Sequence, residues 1–202
     1  IKKKSNDIVI GVDMPVKADM LVSEILDSAV VGEDILPSYH DAQQRLLNEN
    51  AKMVPEKASL KGALLSCPHF HRHDTLNEVS GFDLSPMQAL ATPYAHKDAM
   101  TFLETDHEGE IISETFTLHD FDFEAPTALG FSSEVSTKIT KDGKADSVLM
   151  WFDLELARGI TYTTKGSCSQ HWRPAAQIIR DPAPAQKGDT LSLTTKYEAY
   201  FD

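Results

Sequence analysis

The hydrophobic positions of this chain follow two rhythms, and the change falls near residue 55. Before it, Asp19-Met20-Leu21-Val22-Ser23-Glu24 is a short apolar run closed by polar residues, the pattern of a buried parallel strand. Ile8-Val9-Ile10-Gly11 reads as another strand with a turn behind it. Two such strands alone do not make a stable doubly wound sheet, so they read as the tail of an α/β domain whose beginning is absent. Ile35, Leu36, Tyr39, Ala42, Leu46 and Leu47 recur at helical spacing, which predicts an amphipathic helix over 35–47 with Asn48 and Asn50 as stop signals. After Pro55 the period drops to two. Phe116 and Leu118 alternate with Thr117, and Val135, Thr137 and Ile139 with Ser136 and Lys138. Met150, Phe152, Leu154 and Leu156 share one strand face, leaving Trp151, Asp153 and Glu155 on the other. Asp142-Gly143 predicts a hairpin turn, and Lys187-Gly188-Asp189 a turn before a last strand carrying Leu191, Leu193 and Tyr197. Repeated short strands with turn signals imply a sandwich or barrel. Ser85-Pro86 interrupts them as a helix cap and first helical position, so 85–106 reads as helix and loop inserted into the β region.

Composition narrows the class. The 202 residues are 41% hydrophobic and 25% charged, ordinary for a globular protein, and no apolar run is long enough to cross a bilayer as a helix. No membrane partner and no signal peptide are expected: Ile1-Lys2-Lys3-Lys4 runs directly into polar Ser5, Asn6 and Asp7. The absent initial Met suggests a fragment or trimmed chain. A net charge of −12 argues against direct nucleic-acid binding and is compatible with basic partners. Two cysteines, Cys67 and Cys168, point to a reducing compartment rather than a disulfide framework.

Three groups of residues could carry chemistry. Glu24 stands at the carboxyl end of a predicted strand, where α/β sheets bind ligands. Glu33 follows after a mostly apolar loop that could fold back and bring the second carboxylate beside the first. Two carboxylates facing one pocket need a cation between them, and a planar guanidinium with five N–H donors suits the pair. The bland alternative is two solvated acids. Gln170-His171-Trp172 lies in a loop after the strand ending near Thr164; alone it reads equally as a core Trp beside a loop His. Cys67-Pro68-His69-Phe70-His71-Arg72-His73 offers four alternating N and S donors, but ligands two apart on a flat strand seldom converge on one tetrahedral ion, so no metal is expected.

Taken together, these segments resemble the protein arginine methyltransferase family. Ser23-Glu24 followed by Glu33 resembles its double-E loop, Gln170-His171-Trp172 its threonine-histidine-tryptophan loop, and Gly81-Phe82-Asp83-Leu84-Ser85 the segment leading into its dimerisation arm. Order and separation match along essentially the whole chain. Asp27, Val31-Gly32-Glu33 and the Gln before His171 are similar to the type III branch, the protein arginine methyltransferase 7 type, whose reaction stops at monomethylarginine. The resemblance implies an α+β, mainly β fold. Residues 1–54 would be the tail of an α/β, Rossmann-like S-adenosylmethionine-dependent domain. Residues 55–202 would be a substrate-binding β-barrel with a helical arm inserted around 85–106.

The same resemblance implies roles. Glu24 and Glu33 would hold a substrate guanidinium, with His171 an orienting or proton-accepting partner and Gln170 and Trp172 at the substrate pocket. Ser5 and Asn6 match the segment that contacts the donor's adenine. The cofactor would be S-adenosylmethionine, the substrates arginine-rich basic proteins including histones, and the location cytoplasm and nucleus. The arm would meet a second methyltransferase module or a second subunit. No G-x-G occurs in the chain, so most of the donor site is missing and the fragment alone is expected to be inactive. Two other readings stay open: a non-catalytic barrel that binds basic peptides through a diffuse acidic surface, and a metal-dependent binding domain built on the histidine run.

Overall fold

The computed structural model describes residues 14–68, 78–90, 95–96, 109–166 and 171–199. The strand Ile8-Val9-Ile10-Gly11, and with it Ser5 and Asn6, lies outside them. So do Gln170, Cys168, the histidines of the 67–73 run and most of the 85–106 insertion.

Strand β1 (Ala18–Val22) pairs in parallel with β2 (Leu47–Val54), Leu21 opposite Met53 and Val22 opposite Val54. Parallel neighbours need a crossover, and helix α1 (Ile35–Arg45) provides it. The helix ends short of the expected Leu47. The Leu46 carbonyl accepts the Ala18 amide at 2.8 Å, and Leu47 opens β2, so Asn48 and Asn50 are strand residues rather than stops. β1 is parallel as expected but not buried: Met20 is 54% and Val22 66% exposed, because no described element covers their face. Ile35, Leu36, Tyr39 and Ala42 turn the apolar side of α1 inward. There they join Leu60, Phe121, Phe123, Phe152 and Leu154 in one core, with Tyr39 edge-on to Phe123 at 5.0 Å. The helix is also sutured to the barrel. Gln43 donates to the carbonyls of Phe123 and Ala125 and accepts from the Thr127 amide, each at 2.9 Å.

The β region is built on β3 (Lys57–Ser66) and the long β10 (Gly143–Ala157), antiparallel neighbours at the centre of a seven-stranded sheet. On one side β3 pairs with β7 (Glu110–Ile111) and β8 (Phe116–Asp122); on the other β10 pairs with β11 (Ile160–Thr163) and β12 (Ala175–Ala185). β12 in turn takes β6 (Ala95–His96), a strand inside the segment expected to be helix and loop. The sheet is completed into a half-barrel by a separate ribbon of β9 (Gly130–Lys138) and β13 (Thr190–Glu198), Val135 opposite Leu193 and Phe131 opposite Tyr197.

Two local expectations change. Asp142-Gly143 is not a hairpin turn: β9 pairs with β13 and β10 with β3, so this turn passes the chain from one sheet to the other. Both faces of β10 are covered near its middle: Trp151, on the face opposite Phe152, is 3% exposed and packs with Leu65, Cys67, Leu149 and Ala176 in a second core. The strand is sandwiched, and alternation of Phe with Trp cannot announce that. Ser85 does start a helix, but as a 3-10 turn, Ser85–Leu90. It follows a tight hairpin of β4 (Glu78–Val79) and β5 (Phe82–Asp83), whose turn residues Ser80 and Gly81 both have positive φ, 54° and 83°.

Candidate functional site

The Ser23 amide donates to the Val54 carbonyl at 3.1 Å and closes the β1–β2 ladder, which leaves Glu24 at the carboxyl end of a parallel strand. Ser23 Oγ shares a 2.9 Å hydrogen bond with the hydroxyl of Tyr39, so helix α1 reaches back to the residue beside Glu24. Burial pushes the Tyr39 phenol up, against a smaller lowering by Ser23.

From Glu24 the chain runs to Asp34 in a shaped loop. Asp27 organises it: its Oδ1 accepts the amides of Ala29 at 3.0 Å and Gly32 at 2.9 Å, and its carbonyl accepts Val30 N–H at 3.0 Å. A Cβ on Gly32 would sit 2.1 Å from Asp27 Oδ2, so any larger residue there must displace that carboxylate. Val30 (φ 75°) and Asp34 (φ 62°) take left-handed conformations, and the turn they make returns the chain to the start of α1. The side chains of Leu26, Val30 and Val31 are buried as anchors in the main core. Glu24 and Glu33 remain exposed at the two ends of the loop, and neither has a partner among the described residues.

The predicted second loop meets this one. The indole Nε1–H of Trp172 donates to the Leu26 carbonyl at 2.7 Å, across 146 positions of sequence. Its ring is held edge-on by Phe152 and Tyr162, both at 5.7 Å. His171 leans edge-on against Trp172 at 5.4 Å and is itself exposed. Trp172 is thus neither a plain core residue nor a free binding platform: it fastens the loop bearing the glutamates. Sequence reasoning passed over Asp27 as a loop former, Gln43 as the suture and the hydroxyl of Tyr39. Only Asp27 carried a signal, an Asp preceding a Gly inside a short loop, which favours side-chain-to-backbone turns.

The remaining candidate is separate. Cys67 is buried, and its amide donates to both Asp146 oxygens at 2.9 and 2.7 Å. Among the described residues no cluster of three or more His, Cys, Asp or Glu could hold a metal.

Comparison with known proteins gives the chain relatives in sequence and in fold. Residues 57–199 match the family described as the arginine methyltransferase oligomerization subdomain. The chain is 30% identical over 182 residues to the arginine N(omega)-methyltransferase of Streptomyces achromogenes subsp. streptozoticus, covering 90% of this chain and 49% of that protein. It is 28% identical over 221 residues to protein arginine N-methyltransferase 7 of Oryza sativa subsp. indica, covering 96% of this chain and 31% of that protein. It therefore spans only part of each relative. In fold it is similar to a chain of the Trypanosoma brucei PRMT1 enzyme-prozyme heterotetrameric complex with AdoHcy, at a TM-score of 0.73 and 20% identity, covering 91% of this chain and 59% of that one.

Proposed function

The chain belongs to the arginine methyltransferase family, and on that premise we propose that it supplies the arginine-gripping side of a type III enzyme, which transfers one methyl group from S-adenosylmethionine to arginine in basic proteins such as histones. The observation that carries this reading is the 2.7 Å bond from Trp172 to Leu26, which ties Trp172, and His171 packed against it, to the loop with Glu24 and Glu33 at its ends. Two segments that matter to this chemistry only together are physically joined.

A guanidinium stays protonated at any working pH, and its nitrogens are poor nucleophiles. Glu24 and Glu33, exposed and without a partner among the described residues, present four acceptor oxygens to its fork of donors. Held from both sides, one terminal nitrogen is aligned for in-line attack and positive charge is drawn away from it, catalysis by positioning and preorganised electrostatics. His171, exposed beside Trp172, orients the substrate or accepts its proton. The donor brings an electrophilic methyl on a sulfonium. No G-x-G occurs in these residues, and Ser5 and Asn6 are the adenine contacts assigned to them, so the steps given to this chain are those on the arginine side and the chain alone is taken to be inactive. Residues 1–54 would then be the end of the donor domain and 55–202 the substrate barrel. Its arm around 85–106 would meet a second module or subunit. Gln170 is proposed to narrow the pocket so that monomethylarginine is released. Two cysteines suit a reducing location, cytoplasm and nucleus.

Glu24→Gln in the full natural protein tests the grip. Turnover on an arginine peptide should fall by about 100-fold or more, with folding nearly unchanged. Turnover near wild type would mean a diffuse acidic surface, which tolerates one neutralised carboxylate.

A further inference from the structure

From the barrel, Trp172 reaches a backbone carbonyl of the acid loop, and among the described residues Tyr197 does the same. Its hydroxyl donates to the Val31 carbonyl at 3.3 Å, across 166 positions. Tyr197 lies in β13, opposite Phe131 of β9, and the two rings stack at 5.9 Å and 25°. Phe131 in turn stacks on His119 of β8 at 4.0 Å and 11°. Three rings in a row therefore set the direction in which the phenol points. Burial raises the Tyr197 phenol, with the nearby charges of Asp34 and Asp27 adding to the shift, so it stays protonated and able to donate.

What it grips needs holding. Val31 follows Val30, whose φ of 75° is one that β-branched residues rarely adopt, and Asp34 beyond Glu33 is left-handed as well. Between these two strained points stand Gly32 and the exposed Glu33. Asp27 secures the Gly32 amide at 2.9 Å, and Tyr197 secures the carbonyl just before it. The peptide that leads into Glu33 is therefore fastened on both sides, once from within the loop and once from the last barrel strand.

We propose that Tyr197 is a positioning residue for Glu33: its hydroxyl fixes the Val31–Gly32 peptide so that the second carboxylate faces the arginine it shares with Glu24. This rests on the reading of Glu24 and Glu33 as an arginine grip, and adds that β13 sets half of its geometry. At 3.3 Å the bond is long for an O–H donor, so losing it should disturb the carboxylate's aim more than the fold.

A double-mutant cycle on the full natural protein separates the two claims. The readout is affinity for an arginine peptide, with the same peptide carrying lysine as reference. Tyr197→Phe keeps the ring stack and removes one oxygen; it should melt as wild type does and bind the arginine peptide about 3- to 10-fold more weakly. Glu33→Gln should weaken binding as well, and in that background Tyr197→Phe should cost less than about 2-fold, because the group it positions is already neutral. Equal losses in both backgrounds, or no loss in either, would overturn the positioning role while leaving the grip intact. If Glu33→Gln itself binds arginine and lysine peptides as wild type does, the grip is wrong and the role of Tyr197 falls with it. Tyr197→Leu, which also removes the stack, serves as a control. Should most of the loss appear only there, the ring's packing and not its hydroxyl is what matters, and the proposal fails.

Discussion

The acid loop of residues 23–34 and the sheet around β10 hold their shapes by opposite means. The sheet is a ladder of backbone hydrogen bonds flanked by two apolar layers, one with Phe152 and Leu154, the other with Trp151 and Leu149. The loop has no ladder. Beyond the buried anchors Leu26, Val30 and Val31, its path is set by side chains reaching backbone groups, Asp27 from within and Trp172 and Tyr197 from the barrel, and it carries left-handed residues and bare carboxylates. Fold stability thus resides in the sheet, and the capacity to grip a ligand resides in a loop the sheet holds in position. Damage to the first should unfold the protein; damage to the second should leave a folded protein that binds poorly.

The largest effect should come from Phe152→Ala. Phe152 is 0% exposed at the crossing of the core, and its truncation should cost about 3–5 kcal/mol in denaturant unfolding. A loss under about 1 kcal/mol would break the contrast, since the sheet would no longer be the seat of stability. Gly32→Ala comes next. The added methyl, 2.1 Å from Asp27 Oδ2, must push that carboxylate off the amides it accepts, for about 1–3 kcal/mol, and arginine-peptide binding should fall by more than the stability change explains. Trp172→Phe keeps an aromatic against Phe152 and Tyr162 but removes the bond to Leu26. It should cost about 0.5–1.5 kcal/mol and speed amide exchange in 26–33 while leaving β3 and β10 protected, which sharpens the comparison directly.

The smallest effect is a pH dependence. Burial pulls the imidazole of His119 below its ordinary value of 6.5, against an opposing pull from Asp120. The unfolded chain therefore takes up the proton first as pH falls through 6.5, so stability is present above that pH and lost as pH drops toward the lower folded value. His119→Phe should flatten this slope in unfolding curves taken across the window. An unchanged slope would assign the acid sensitivity to other groups.

Sequence alone found the parallel strand, the helix and most barrel strands, because period and turn chemistry are local properties. It placed Glu24 at a strand's carboxyl end and the Trp172 segment in a late loop, and the structure has both there. It erred where pairing is non-local. Asp142-Gly143 looks the same whether it joins two partners or two sheets. The alternation around Trp151 is silent on the second layer that covers it.

What the chain determined by itself is chemistry and periodicity: acids nine residues apart around a loop, an indole far along the chain, and alternating apolar strands, all legible because each depends only on neighbouring residues. What only the tertiary structure decided is who holds whom. That Trp172 and Tyr197 meet the carbonyls of Leu26 and Val31 depends on contacts 146 and 166 residues apart. A backbone carbonyl is identical at every position, so no residue type advertises which one a distant donor will find.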